Sequence, residues 1–296
     1  MQEDFRNHHN ALQQNRIKAG AFDIKGFSVS GLATYLQLPE LDFCADMGEC
    51  PISAVKLNHV FLTHAHGDHS RCLMRHHSLR KMMGIPKESV YYLSAAIYEN
   101  ACEWIRAEAI FEGVSPHKFQ LPKLVPVKPF EKIQLEYRKD LYLEPFPVAH
   151  SIHAIGCTLF QYKRKLKDEF LNLPAEKIIE LRQKNVEITR EVYLPLISFT
   201  GDSLGETLRT QTHIWKSPVL VTECTFLDEG EEKMAVQKGH THLSEIIEYL
   251  EKFGSEIECQ KIILTHFSMK YSEKYILDTL KKKIPEAFQE KVIAFI

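Results

Sequence analysis

Nowhere do two cysteines stand at C-x-x-C spacing, although the chain contains seven. The number is odd, so neither a zinc ribbon nor a disulfide framework organises the fold, and a reducing compartment fits. No apolar run approaches the roughly 18–20 residues that a membrane span needs. The segment Met1–Gly20 is polar and lacks the apolar stretch of a signal peptide, so a soluble, cytoplasmic protein is expected. An excess of either charge is missing too: 37 Lys and Arg against 39 Asp and Glu leave −2. Net charge therefore gives no overall pull toward nucleic acid, and an RNA-binding protein of this composition has to gather its basic residues on one face. Repeats and low-complexity linkers are absent as well. At 296 residues the chain fits one large unit. Residues 1–20 read as a loosely attached extension and 21–296 as a single domain.

Histidine is the residue in surplus, with fifteen copies. Their places along the pattern of elements matter more than their number. Phe27–Leu38, interrupted at Gly31, and Leu41–Asp46 read as strands. His59–Thr63 reads as a short buried strand. His69–Met83 is helical in pattern and stops at Gly84 before Pro86. Ser94 caps a helix that runs to Phe111. Strands follow at Leu141–Val148, Ile155–Tyr162, Tyr193–Thr200, Val219–Thr222 and Ile262–Thr265. Helices fall at Ala175–Lys184, Leu243–Phe253 and Tyr271–Lys282. Several of the short apolar strands deliver a polar residue at their C-terminal end: His64, His150, Asp202, Glu223 and His266. Open α/β sheets place ligand sites at strand ends. Five such endings point to a site assembled along one edge.

The densest cluster is Thr63-His64-Ala65-His66-Gly67-Asp68-His69, an H-x-H-x-D-H pattern. His64 and His66 sit two apart in extended chain, which turns both rings to one side. Gly67 permits a sharp turn. Asp68 and His69 then open a helix and face a second position close by. Neutral imidazoles and a carboxylate suit zinc, with manganese or iron as alternatives. The motif can thus give two ligands to each of two neighbouring metals. His150 would complete the first site, His266 the second, and Asp202 could bridge them. Taken singly, these three read more readily as a strand-end histidine, a Gly-Asp turn and a helix-entry residue; their strand-end placement together with the H-x-H-x-D-H motif reverses that reading. The remaining histidines read as surface or packing residues: His8, His9, His59, His76, His77, His117 and His213. His153 and His242 stand closer to the candidates.

These residues resemble the metallo-β-lactamase superfamily, and within it ribonuclease Z, in particular its short plant-type form. Phe43-Cys44-Ala45-Asp46-Met47-Gly48 is similar to the family's early Asp-x-Gly strand. Phe61–His69 matches its metal motif, His150–Gly156 its third-histidine segment, and Phe199-Thr200-Gly201-Asp202-Ser203 the segment of the bridging aspartate. Thr222-Glu223-Cys224-Thr225-Phe226 resembles a His-Glu-Ala-Thr-Phe segment, with threonine in first place. Gly239-His240-Thr241-His242 resembles a Gly-His segment before a helix. Thr265-His266-Phe267-Ser268-Met269-Lys270-Tyr271 resembles the last-ligand motif, with lysine in place of arginine. Two departures stand out. Ser70-Arg71-Cys72-Leu73 replaces the usual Gly-Leu-Pro run, and the arm between His150 and Asp202 is short.

The resemblance implies an α/β (α+β) fold, an αββα four-layer sandwich of two mixed β-sheets flanked by helices. It implies two divalent metal ions held by His64, His66, Asp68, His69, His150, Asp202 and His266. It implies phosphodiester hydrolysis on precursor tRNA that removes the 3′ trailer and leaves a 3′-hydroxyl on the tRNA, in a homodimer. Asp68, Glu223 and His240 are then the catalytic candidates, with His240 protonating the leaving oxygen and Glu223 orienting it. A short basic insertion at 163–190 offers Lys163, Arg164, Lys165 and Lys167 to RNA, diluted by neighbouring acids. A small-molecule phosphodiesterase or thioester hydrolase on the same centre, for instance one acting on cyclic nucleotides, is the alternative. A non-catalytic RNA-binding relative would have lost ligands, and here every ligand position is filled.

Overall fold

The structure is a computed structural model in which residues 14–296 are described. His8, His9 and most of the expected extension lie outside the described residues. Asn15–Ala19 form a strand, β1, paired antiparallel with β2, Phe22–Ser30. Ile17 packs against the core and Ala19 belongs to it. An edge strand with one polar face carries a weak hydrophobic signal, which is why it reads as extension.

The first sheet continues through β3 (Ala33–Leu38), β4 (Phe43–Ala45), β5 (His59–Phe61), β6 (Val90–Ser94) and β7 (Lys123–Val127). Its first half is antiparallel and its second half, from β4 to β7, is parallel. The expected interruption at Gly31 is the tip of the β2–β3 hairpin. The second sheet contains β8 (Ile133–Gln134), β9 (Leu141–Val148), β10 (Ala154–Leu166), β11 (Thr189–Phe199), β12 (Val219–Glu223), β13 (Lys261–Thr265) and β15 (Val292–Ala294). Strands β11, β12, β13 and β15 are parallel, whereas β8 to β11 pair antiparallel. A two-residue strand, β14 (Phe267–Ser268), crosses from the second sheet's chain to pair with β2.

Side-chain alternation along the strands builds the layers. Phe43, Ala45, Phe61 and Tyr92 face the core between the sheets, and so do Val219, Val221 and Ile263. Their neighbours Cys44, Val60 and Tyr91 face the helices Leu73–Met82 and Tyr98–Phe111 on the outside. Leu220, Ile262 and Leu264 face the helices Leu243–Phe253 and Glu273–Lys283 on the other outside. Strands buried on both faces read as continuous apolar runs. The result is the expected four-layer αββα sandwich of two mixed sheets.

Two helices differ from their expected spans. The one after the metal motif is split into Gly67–Ser70 and Leu73–Met82. The last begins at Glu273, because the Ser272 hydroxyl accepts from the Tyr275 amide at 3.2 Å and caps it. All seven cysteines are free. Among the described residues no helix is long and apolar enough to cross a membrane.

Candidate metal centre

Chain segments far apart in sequence converge at one edge of the sandwich. His64 and His66 follow β5, and Asp68 and His69 lie in the helix Gly67–Ser70. His150 follows β9, Asp202 follows β11, and Glu223 ends β12. His240 follows the helix Glu232–Lys238, and His266 sits between β13 and β14.

Three overlapping groups of candidate ligands result, the third made of Asp202, His240 and His266. His64, His66, His150 and Asp202 bring one potential ligand atom each to within 4.8 Å of one another. Asp68, His69 and His266 do the same. Asp202 belongs to both neighbourhoods. Its carboxylate lies 3.7 Å from His64 Nε2 and 3.3 Å from both His69 Nε2 and His266 Nε2.

Outer hydrogen bonds fix which ring nitrogen faces inward. His69 Nδ1 donates to Asp46 at 2.8 Å, and His150 Nδ1 donates to the Gly239 carbonyl at 2.7 Å. The Thr63 hydroxyl donates to Asp46, so it accepts from His64 Nδ1 at 3.0 Å. The Thr225 hydroxyl donates to Glu223, so it accepts from His266 Nδ1 at 3.0 Å. Each of these four rings thereby presents a bare Nε2. His66 differs by presenting Nδ1, 3.0 Å from His64 Nε2 and 3.3 Å from His150 Nε2. Lone pairs packed this closely have too few protons to share, and a cation between them resolves the conflict. This donor set of imidazole nitrogens and carboxylate oxygens fits divalent metal.

The electrostatics agree. Burial and the neighbouring His69 imidazole hold His64 down at about 2, which keeps it a neutral ligand. Burial and His150 lower His66. Burial opposes the charged forms of Asp202 and His69, but each charge overrides that for the other. Asp202 is held well below the carboxylate range by His266 and His69, and His69 is raised by Asp202 and Asp46. The same carboxylates that attract a proton here attract a metal cation.

His240 forms the third group with Asp202 and His266, and one of its ring nitrogens is tied to Glu223. Its Nδ1 bonds Glu223 Oε1 at 2.9 Å, with the nearest Asp202 oxygen at 4.0 Å. Burial would lower the His240 pKa, yet the Glu223 carboxylate more than offsets this and raises it. Glu223 is itself held by the Ser203 amide at 2.7 Å and by the Thr225 hydroxyl. Thr222, the departure from the family segment, hydrogen-bonds Thr200 at 3.1 Å.

Some working parts carry no separate signal in the sequence. Asp46 accepts from the Thr63 amide at 2.8 Å and orients His69, which gives the Asp-x-Gly strand a function. Thr225 links Glu223 to His266. The Gly31 amide donates to Asp68 at 2.9 Å from the hairpin tip. Asp46 and His266 both hold left-handed backbone, with φ of 62° and 60°. For non-glycine residues that conformation is costly and gathers at functional sites. Gly48 is required by close approach, since a Cβ there would lie 1.7 Å from the Asp68 carbonyl oxygen.

The other histidines separate cleanly. His153 bonds Ser94 at 2.7 Å, and His242 caps the helix Leu243–Phe253. His59 and His76 are buried and bonded to backbone carbonyls.

Lys163, Arg164, Lys165 and Lys167 are not brought to the centre. β10 and β11 run on together as a hairpin arm as far as Leu166 and Thr189, and the helix Ala175–Gln183 lies between them in the chain. Ten residues of β11 separate Thr189 from Phe199, about 33 Å at 3.3 Å per residue. Arg164 is paired with Glu187, and Arg190 with Asp168. No such ion pair involves Lys163, Lys165 or Lys167 among the described residues.

No protein-family model matches the chain. Among known proteins, tRNase Z TRZ1 of Arabidopsis thaliana is 32% identical over 290 residues, covering 95% of this chain and 98% of that protein. The chloroplastic tRNase Z TRZ2 of the same plant is 29% identical over 284 residues, covering 95% of this chain and 77% of that protein. Among solved structures, the short form of human tRNase Z has a TM-score of 0.55 at 14% identity, covering 92% of this chain and 95% of that one. The metallo-β-lactamase fold protein YhfI from Bacillus subtilis has a TM-score of 0.56 at 14% identity, covering 90% and 92%. These two likenesses show the fold, and the near full-length sequence match shows the family. The chain belongs to the tRNase Z family, built on the metallo-β-lactamase fold.

Proposed function

We propose that this chain is a metal-dependent endoribonuclease that removes the 3′ trailer from precursor tRNA and leaves a 3′-hydroxyl on the tRNA. The supporting observation is the convergence of five imidazoles with Asp68 and Asp202, next to the hydrogen-bonded Glu223–His240 pair. Two divalent ions, zinc by preference with manganese or iron as alternatives, would be held by His64, His66 and His150 and by Asp68, His69 and His266, with Asp202 within reach of both sets. When bound, such ions supply Lewis acidity toward a phosphate oxygen and lower the pKa of water.

The chain's own groups do the rest. Asp46, Thr63, Thr225 and the Gly239 carbonyl hold four imidazoles in the tautomer that leaves Nε2 free. Protonated His240 keeps Nδ1–H on Glu223 and has Nε2–H to deliver to the leaving 3′-oxygen. A positioned acid contributes on the order of 10²–10⁴ in rate. Glu223 favours the charged imidazole that this step consumes.

RNA binding falls to the arm, through Lys163, Lys165 and Lys167, with Arg164 partly neutralised. Its distance from the cluster favours a homodimer in which one subunit's arm holds the substrate of the other. We place the protein in the cytoplasm. Family membership does not favour the small-molecule alternative. The test is cleavage by purified, metal-loaded protein of a precursor tRNA carrying a 3′ trailer, with bis-p-nitrophenyl phosphate as a generic ester. Trimming at the trailer junction supports the proposal, and cleavage of the generic ester alone overturns the tRNA assignment.

A further inference from the structure

The proposed acid, His240, is carried on an excursion of the chain between Phe226 and His242. A parallel β-bridge joins those two residues, and the Leu243 amide bonds the Phe226 carbonyl at 2.9 Å. The excursion holds a turn at 228–230, then the helix Glu232–Lys238, then His240. The helix is a stiff spacer about 10 Å long. At its far end the Gly239 amide bonds the Val236 carbonyl at 3.1 Å, and the His240 amide bonds the Ala235 carbonyl at 2.9 Å. The His240 backbone is thereby tied to the helix, and whatever fixes the first turn of the helix helps to fix the imidazole.

That first turn is held by Tyr271. Its hydroxyl accepts from the Leu227 and Asp228 amides at 2.8 and 3.3 Å and donates to Glu231 at 2.7 Å. A hydroxyl has one proton to give and two lone pairs to accept with, and here each is used. The Glu231 carbonyl in turn accepts from the Ala235 amide at 2.8 Å, so the contact runs into the helix. The Tyr271 ring is half-buried, packs against the outer core of the second sheet, and stacks on Tyr275 with ring centres 5.4 Å apart. Packing therefore sets where the hydroxyl stands. Tyr271 also follows closely on His266. Its amide bonds the Ser268 carbonyl at 3.1 Å, and the Ser268 amide bonds the Thr225 carbonyl at 3.1 Å. Lys270 adds ion pairs to Asp228 at 3.2 Å and to Glu231. Its side chain is exposed, and exposed pairs contribute little. The half-buried hydroxyl is the stronger constraint.

We infer that Tyr271 is a positioning residue for His240, holding the helix Glu232–Lys238 so that the imidazole stays on Glu223 and within reach of the leaving oxygen. This role rests on the reading of His240 as the acid. A merely structural role would look different. The Gly239 carbonyl, in the same excursion, holds His150, so general loosening there would disturb a metal ligand as well as the acid. The leaving group separates the two roles. The 3′-oxygen of a cleaved tRNA leaves as an alkoxide and needs a proton, whereas bis-p-nitrophenyl phosphate releases a phenolate whose charge is delocalised.

Wild-type protein, Tyr271→Phe, Glu231→Ala and His240→Ala are loaded with metal and compared on precursor tRNA and on bis-p-nitrophenyl phosphate. Single-turnover rates at saturating enzyme separate chemistry from binding and product release. Metal content is measured for each variant. Tyr271→Phe keeps the packed ring and removes only the hydroxyl. Its tRNA rate relative to its ester rate should fall about tenfold or more, part of the 10²–10⁴ that a positioned acid supplies. Metal content should stay at the wild-type level. Glu231→Ala removes the acceptor on the other side of the same contact and should lower the ratio in the same direction. Equal losses on both substrates, or loss of metal, would make Tyr271 structural and overturn the inference, and so would an unchanged ratio. His240→Ala tells the two failures apart. If it lowers the ratio and Tyr271→Phe does not, only the positioning role fails. If His240→Ala leaves the ratio at the wild-type value, the acid assignment fails and the positioning role falls with it.

Discussion

Asp202 carries the heaviest demand of any single side chain. It is buried, and its two oxygens are spread over three imidazoles from both ligand sets. Asp202→Ala should therefore empty both metal positions together in elemental analysis, and a variant with full occupancy would contradict the bridging role. Asp46 touches no proposed metal position, yet it fixes His69 through Nδ1. Asp46→Asn should weaken metal binding by about 10–100-fold, the range for outer partners of metal ligands. His240→Ala should lower turnover by roughly 10²–10⁴ while metal content stays at the wild-type level. Loss of metal in that variant would make His240 structural. The sign of the pH effect follows from Glu223. A raised His240 pKa keeps the acid form competent below that pKa, and activity falls as pH rises through it. Glu223→Gln removes the carboxylate that does the raising. The alkaline limb of kcat should then move to lower pH, and an unmoved limb would break the assignment.

At the scale of elements, the centre depends on strand ends and on the loops that clamp them. The Met47 amide bonds the His69 carbonyl at 2.7 Å, and the Cys72 amide bonds the Met47 carbonyl at 3.0 Å. The loop after β4 thus sits directly on the metal-motif turn, with Gly48 at the point of closest approach. Gly48→Ala should destabilise the fold by roughly 1–3 kcal/mol through overpacking. Metal should be lost first from Asp68, His69 and His266, as measured by thermal unfolding and metal titration. The candidate ligands are legible in the sequence because H-x-H-x-D-H is local and His150, Asp202 and His266 each follow closely on the apolar C-terminal part of a strand. Asp46 and Thr225 are not legible in their roles, since they act on the outer nitrogens of histidines many residues away. No spacing reveals which hydroxyl meets which ring. β14 escapes the sequence pattern because two residues carry no periodicity, and β1 because its polar face hides the alternation.

For the whole molecule, metal occupancy of the candidate centre should be linked to the stability of the fold. Without cations, five imidazoles and two carboxylates face one another at one edge of both sheets. A ligand that binds only the folded state stabilises it by mass action. Chelation should lower the unfolding temperature and restored zinc should raise it, whereas an unchanged temperature would mean the cluster holds no metal in solution. With a net charge of −2, RNA affinity has to come from local surfaces. Neutralising Lys163, Lys165 and Lys167 should reduce the salt dependence of tRNA binding, by up to about 0.7–0.9 in slope for each phosphate they engage. Hydrolysis of the generic ester should be untouched.

Anomalous diffraction from crystals of the metal-loaded protein tests the central claim most directly. Two peaks are predicted, one among His64, His66 and His150 and the other among Asp68, His69 and His266, with Asp202 between them. A single peak, or metal bound elsewhere with these side chains turned away, would contradict it.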